Sequence, residues 1–484
     1  MARLVFNGSK FGLLIILSCS TLFVTGCAPQ INVDEQLDLV AIPAAWQSPD
    51  IEAARSELKW LDADEAQDLS AIVLRALENN PDLRISANRL RTALAQQSII
   101  DGARSVTGDI RVSASRSGDF ESGTADNQSF SLRGGLAWEA DIWGRLASDS
   151  AAAEQNVLSL KNDLEYARMS LATRTAQRWF DVSESILQND LLEQNLGKLL
   201  QAQDLVDSRY ARGLVDVLDV LQIETNVATA RSGLANQRQT VTERMRILET
   251  LIGSYPTGKV PQVVSLPVLD NLIRMGIPTN LLEKRPDILS ARNQVLAANY
   301  DLNAAKKALY PSLSVSGSTS TSGDEIGDIV DIDTLVWSVV GNIVQPILDG
   351  SRRRQQVVIN EVALDSGIAN YVRTILTAYE EAENALTAEV TLAEQEEHLA
   401  IAVERAIASE EKALDQYSKG LVDILSLVNV QRNRISSQQS LLRVQHRRLL
   451  NRADLHLALG GENIENYINQ MADAVQTTSN QENL

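Results

Sequence analysis

The sequence predicts an α+β membrane protein built as a tandem internal repeat, in which each copy supplies two amphipathic β-strands and long coiled-coil helices. Three observations predict it. One pattern of residues recurs at an offset of about 205 to 207 positions. Each copy carries two segments of about ten residues in which apolar and polar side chains alternate strictly. Each copy then enters a long stretch, roughly 145–208 and 351–415, with no proline and almost no glycine.

The repeat is clearest near the end of each copy. Tyr210-Ala211-Arg212-Gly213-Leu214-Val215-Asp216-Val217-Leu218 faces Tyr417-Ser418-Lys419-Gly420-Leu421-Val422-Asp423-Ile424-Leu425, and six of the nine residues are identical. At the same offset Leu248 meets Leu455 and Gly253 meets Gly460, while Pro81-Asp82-Leu83 meets Pro286-Asp287-Ile288 and Gly144 meets Gly350. The chain therefore divides into a signal segment (1–26), an extended strap (27–68), a first repeat (69–253), a connector (254–285), a second repeat (286–460) and a polar tail (461–484).

Each repeat opens with a helix. Asn80-Pro81-Asp82 and Arg285-Pro286-Asp287 start it, because proline at the first helical position loses no needed hydrogen bond and an early aspartate suits the helix dipole. Two strands follow, at about 107–120 and 129–143 in the first copy and about 311–321 and 334–348 in the second. In the first copy Ile110, Val112 and Ala114 alternate with Arg111, Ser113 and Ser115. In the second, Leu313, Val315 and Gly317 alternate with Ser314, Ser316 and Ser318. A serine-rich face opposite an apolar face, with aromatics near the ends, is how a porin-type strand separates water from lipid, although a half-buried soluble sheet has the same period. Four strands cannot close a barrel with an open lumen. Three copies would supply twelve, an even number within the bacterial range.

At 1.5 Å per residue the long stretches form rods of ~95 Å. Their apolar residues follow a narrow three-four spacing, as in Leu160, Leu164, Ala167 and Leu171, and in Val372, Ile375, Tyr379, Ala382 and Leu386. Such helices bury thin seams and expose the rest, as staves around a watery lumen or as an antiparallel coiled coil without one. A glycine-bearing turn at Gly213 or Gly420 reverses each rod into a shorter returning helix.

The N-terminus reads as a secretion signal: Arg3 and Lys10 precede an apolar run, Phe11 to Val24, and Val24-Thr25-Gly26-Cys27 closes it. That ending resembles a bacterial lipobox, which implies acylation of Cys27, with Cys19 after Ser18 a weaker competitor. Ala28, rather than Asp, favours the outer membrane by the same resemblance. Both cysteines of the chain lie in this segment, so no disulfide staples the body of the fold. Past the signal there is no run of eighteen apolar residues, so spanning falls to β-strands. The net charge of -19, from 63 acidic and 44 basic residues, argues against a nucleic-acid partner.

With these residues in place the chain resembles the TolC-like outer-membrane efflux factors, in the lipoprotein branch associated with resistance-nodulation-division pumps. The most telling segments are Trp138-Glu139-Ala140-Asp141-Ile142-Trp143-Gly144-Arg145, Gly276-Ile277-Pro278, Leu281-Leu282-Glu283-Lys284-Arg285-Pro286-Asp287-Ile288, Tyr310-Pro311-Ser312-Leu313 and Gln345-Pro346-Ile347-Leu348-Asp349-Gly350. The resemblance implies a homotrimer whose twelve strands form one outer-membrane barrel and whose helices form a periplasmic α-barrel. It implies passive conduction of cargo, with a periplasmic adaptor protein and an inner-membrane transporter of the resistance-nodulation-division class as partners, and outer-membrane lipid around the barrel. It places the adaptor contact at Gly213-Leu214 and Gly420-Leu421. It puts a periplasmic constriction at Leu425, Ser426 and Asn429, where relatives often carry acidic residues at the last two positions and this chain does not; Asp219, with Asp216 and Asp423 nearby, is the candidate source of negative charge.

No enzyme is expected. His398, His446 and His456 lack metal-ligand spacing, the five methionines are unclustered, no Gly-rich phosphate loop with its lysine is present, and no cysteine is left as a nucleophile once Cys27 is acylated. Neither a catalytic group, a metal nor a cofactor is expected beyond the covalent lipid on Cys27. The alternative of another class is a coiled-coil envelope lipoprotein that tethers membranes without a pore, which has no use for four strands of membrane-spanning length.

Overall fold

The computed structural model describes residues 67–117, 127–259, 266, 267, 269 and 281–461 of the 484-residue chain. The signal, Cys27, the strap up to residue 66 with Trp46 and Trp60, residues 118–126 of the first hairpin loop, Gly276-Ile277-Pro278 and the tail from residue 462 lie outside the described residues.

Strong local signals set the helices. Asn80 caps the helix that starts at Pro81, its Oδ1 accepting from the amides of Asp82 at 2.9 Å and Leu83 at 3.1 Å. In the second copy Arg285 stands where Asn80 does, and Asp287, the counterpart of Asp82, accepts from the amide of Ile288 at 3.0 Å instead. The first copy runs α1 (Gln67–Asn79), α2 (Pro81–Gly102), β1 (Thr107–Ser117), β2 (Asn127–Ala140), α3 (Arg145–Ala211) and α4 (Val217–Leu251). The second runs α5 (Leu281–Lys284), α6 (Pro286–Lys307), β3 (Ser312–Gly323), β4 (Val336–Val344), α7 (Arg352–Ser418) and α8 (Ile424–Ala458). The two rods, α3 and α7, have 67 residues each and the two returning helices, α4 and α8, 35 each. The duplication is thus kept to the residue in its longest elements.

The chain forms two compact units. Among the described residues the first comprises Leu94–Asn156 and Gln294–Ile368, and the second comprises residues up to Ala93, Val157–Asn293 and residues from Ala369 onward. In the first unit the four strands form one antiparallel sheet in the order β1-β2-β3-β4. The β2–β3 pairing, from Phe130 opposite Gly323 to Ala140 opposite Leu313, joins one copy's hairpin to the other's. β1 and β4 are the outer strands, each with one neighbour among the described residues.

In the second unit, Leu69, Ile72 and Ala76 of α1 pack on Leu171, Trp179, Phe180 and Val182 of α3 and on Leu248 of α4. Burying a large apolar side chain fully stabilises by about 1.5–3 kcal/mol, so this cluster is what holds the short helix α1 in place. Charged pairs run alongside the apolar seams. Glu389 of α7, 3% exposed, accepts from Arg448 Nε at 3.0 Å and from Arg452 Nη2 at 2.6 Å, both on α8. Arg434 of α8 and Lys198 of α3 meet the buried Glu410 of α7 at 2.9 and 2.5 Å.

Several boundaries differ from the sequence reading. α1 precedes the helix start expected at Asn80-Pro81 and takes in the last strap residues, because its apolar stripe finds α3 to pack against. β2 ends at Ala140 rather than about 143: Asp141 turns to accept from the amides of Leu146 and Ala147, at 3.1 and 2.7 Å, and so caps α3. β4 spans Val336–Val344 rather than about 334–348. Residues Ile332–Thr334 form a 3₁₀ turn on its leading side, and Pro346 has no amide to continue the ladder. β3 starts at Ser312, one residue later than expected, and extends to Gly323. β1 ends at Ser117, where the described residues stop. Within the expected connector, Leu281–Lys284 is helical.

Candidate functional site

Two places carry the functional expectations, the sheet and the helix ends with the two glycine turns. In the sheet, register decides what each face presents. Ile110, Gly134, Thr319 and Trp337 form one cross-strand row, and Val112, Leu132 and Thr321 another. Gly108, Leu136, Gly317 and Val339 make a third on the same face, which is apolar and glycine apart from Thr319, Thr321 and, at the loop end, the Arg116–Gln128 pair. The opposite face holds Ser113 with Ser131 and Ser322, and Asp109 with Gly135, Ser318 and Ser338. Hydroxyls there meet one another, Ser113 Oγ to Ser131 Oγ at 2.7 Å and Ser318 Oγ to Ser338 Oγ at 3.1 Å.

The apolar face is not a core. Ile110 is 81% exposed, Trp337 75% and Ile343 74%, far above what a half-buried soluble sheet leaves open. Near the helix side of the sheet, Trp143 stacks on Tyr310 at 5.1 Å between ring centroids, and its Nε1 donates to the Pro311 carbonyl at 2.7 Å. Trp138 Nε1 donates to the Arg104 carbonyl at 3.2 Å. Amphipathic aromatics with one polar contact each, at the rim of an apolar band, are the arrangement of a membrane-interface belt.

In the second unit the two glycine turns rest on one apolar cluster drawn from all four long helices: Leu199, Ala202 and Val206 of α3, Ile223 and Val227 of α4, Ala413 and Tyr417 of α7, and Ile424, Leu427 and Val428 of α8. Val215 and Val422, from the turns themselves, pack against it. Gly213 and Gly420 hold φ of 71° and 77°, the left-handed region that a side chain resists. Leu214 and Leu421 stand 60% and 71% exposed.

The candidate constriction residues sort differently. Leu425, Ser426 and Asn429 are exposed on α8, Asp219 is half-buried on α4, and the apolar neighbours Val217, Leu218 and Leu221 are exposed as well. Asp216 and Asp423 are helix caps, accepting from the amides of Val217 at 2.6 Å and Ser426 at 2.8 Å. The hydrogen bonds from Ser426 hold the Asp423 carboxyl below its ordinary range.

One contact at this end was not visible in the sequence. Arg209 lies over the Tyr417 ring, 4.8 Å from its centroid, and donates to the Tyr417 carbonyl. Burial pushes the Tyr417 phenol up, with Arg209 opposing. The repeat partners of this pair do not reproduce it: Tyr210 is 48% exposed and Gln416 stands where Arg209 would recur. Comparing the copies for departures, rather than for matches, is the signal that would have found it.

The histidines make no common site. Burial pushes His456 down to about 4, His446 Nε2 lies 3.0 Å from Asp181 Oδ1, and His398 is on the surface. Among the described residues no group of histidine, cysteine and carboxylates has the arrangement of a metal site, and no helix is long and apolar enough to cross a membrane.

A family model described as outer membrane efflux protein matches residues 72–254 and 277–461, the two halves of the repeat. The cation efflux system protein CusC of Escherichia coli (strain K12) is 27% identical over 455 residues, covering 92% of this chain and 98% of that one. The outer membrane protein OprJ of Pseudomonas aeruginosa is 29% identical over 417 residues, covering 84% and 87%. A crystal structure of CusC, described in connection with transmembrane channel formation, superposes with a TM-score of 0.75 at 25% identity, covering 86% of this chain and all of that one.

Proposed function

We propose, because this chain belongs to the outer membrane efflux protein family, that three copies assemble into a passive duct carrying cargo from an inner-membrane transporter and its periplasmic adaptor to the exterior. Outer-membrane efflux is the work of the family and of this chain. The observation that carries the finer reading is the sheet: one face apolar and exposed, one face hydroxyl-lined, and two outer strands with open edges. An exposed apolar sheet is stable only in lipid, and in lipid every edge amide needs a partner. Joining β4 of one copy to β1 of the next satisfies both demands, and three copies give twelve strands with the serines facing water.

The helix ends support the adaptor contact. Leu214 and Leu421 are apolar, exposed and presented on turns that glycine fixes, which suits docking of a partner helix hairpin. In this reading Leu425, with Ser426 and Asn429 beside it, narrows the periplasmic mouth by an apolar ring rather than an acidic one. Cys27 carries the lipid that tethers the strap to the outer membrane. The duct performs no reaction and needs no cofactor; a transporter of the resistance-nodulation-division class supplies the driving energy.

Single-channel recording tests the duct. Purified detergent-solubilised protein added to planar bilayers is expected to run as a trimer and to give a small, mostly closed conductance. A compact monomer that stays soluble without detergent would overturn the reading.

A further inference from the structure

β1 and β2 place two arginines directly opposite each other. Arg111 and Arg133 are cross-strand partners in the register, so their Cβ atoms stand about 5 Å apart on the polar face. Like charges in that position destabilise a strand pair. Both side chains are exposed, and among the described residues neither forms an ion pair with a carboxylate. Arg133 Nη2 donates to Ser318 Oγ at 3.3 Å. The acids of this face cancel the pair only in part: Glu139 is engaged by Arg145 at 2.8 Å, and Asp109, over Gly135 in the adjacent row, offsets one of the two charges, leaving each chain with a surplus of about one positive charge here.

The fold does not need these arginines. The second copy builds the same hairpin from β3 and β4 without one charged residue in either strand, and its polar face is serine and asparagine with valines. The chain as a whole leans the other way, to a net -19. A paired cation at an energetic cost, in an acidic protein, on a face that the duplicate leaves neutral, calls for an anionic counterpart. Guanidinium is the group that fits one, since its planar fork matches the oxygens of phosphate, sulfate or carboxylate. Serine hydroxyls around the pair, Ser131, Ser318 and Ser320 among them, add neutral donors.

We propose that Arg111 and Arg133 form an anion-binding station on the polar face of the sheet, taking soluble solutes that carry phosphate, sulfate or carboxylate groups. It lies about 20 Å along β1 from the loop end at Ser117. The inference deepens the duct reading, in which this face lines the lumen and three stations form a ring that favours anionic cargo.

The test uses full-length protein in detergent and inositol hexakisphosphate as the probe. Calorimetric titration is expected to show binding that weakens as salt is raised. Arg111→Ser with Arg133→Ser, the residue type of the second copy, should weaken binding about ten-fold or more, and Arg111→Lys with Arg133→Lys should restore part of it. Serine variants should keep the trimer on gels and melt no lower than the parent, because they relieve repulsion. No binding by the parent, or equal binding by the serine variant, overturns the proposal. Bilayer recording separates the two readings. Conductance with arginine-independent binding removes the station and leaves the duct, whereas arginine-dependent binding without conductance leaves the station and removes the duct.

Discussion

Asn80 and Arg285 occupy the same place in the two copies, and each donates a side-chain hydrogen bond to a carbonyl at the end of its own copy's returning helix. Asn80 Nδ2 reaches the Leu251 carbonyl at 2.9 Å, and Arg285 Nη1 reaches the Ala458 carbonyl at 3.2 Å. Both fasten a helix C-terminus that has run out of internal donors. Arg285 does more: only 1% exposed, it also meets Asp287 at 2.7 Å and Glu381 at 2.8 Å. Burial opposes its charge, and the two carboxylates more than restore it.

The two joints should therefore differ in strength. Asn80→Ala is expected to cost about 1 kcal/mol, the ordinary loss of a cap. Arg285→Ala should cost about 3 kcal/mol or more, since it strips two carboxylates and a carbonyl of their partner. Thermal unfolding of the detergent-solubilised variants measures both, and equal melting points would show that the extra ion pairs contribute nothing.

Glu389 is the keystone of the α7–α8 contact. Glu389→Ala leaves Arg448 and Arg452 buried with less to bind, Arg448 keeping Glu396 at 2.9 Å. The expected loss is about 3–5 kcal/mol, the cost of breaking a buried pair from one side. A denaturation midpoint within error of the parent would contradict it.

His456 sets a pH dependence. Its folded pKa is about 4 against an ordinary 6.5, so the folded protein prefers the neutral ring. Above pH 6.5 that preference has no effect on stability; as pH falls from 6.5 to 4 the unfolded chain takes up a proton that the folded chain refuses, and stability drops by up to about 3 kcal/mol. Melting curves between pH 8 and 4, run for the parent and for His456→Gln, should show a smaller loss over this window in the variant.

The glycine turns give a functional prediction. Valine at positions 213 and 420 must adopt a backbone that costs it 1–2 kcal/mol or so at each site. Gly213→Val with Gly420→Val should abolish pump-dependent resistance while trimers still reach the outer membrane. Normal export by the double variant would remove the tip assignment.

Cys27→Ser should end metabolic labelling with radioactive palmitate. Persistent labelling would place the anchor elsewhere.

The parts legible in the sequence were those with a period. Alternation marked Ile110, Val112 and Ala114 as one face of a strand, and the absence of proline marked the rods to within a few residues. Helix α1 escaped because Leu69, Ile72 and Ala76 become helical through what they pack against, namely Trp179 and Phe180, which are more than a hundred residues away. Strand order escaped for a similar reason: alternation gives each strand its faces but not its neighbours, so the pairing of Leu136 with Gly317 across the copies could not be read. At the helix ends, repetition exposed Gly213 and Gly420, and it hid Arg209 and Tyr417, whose contact breaks the repeat.

The open margins of β1 and β4 carry a genetic consequence. A sheet finished only by its own kind makes every ring hostage to its worst member, because one subunit with a spoiled margin interrupts the seam for two sound ones. Co-expression of a chain carrying proline in the middle of β4 is accordingly expected to be dominant, depleting working rings well beyond its share of the pool.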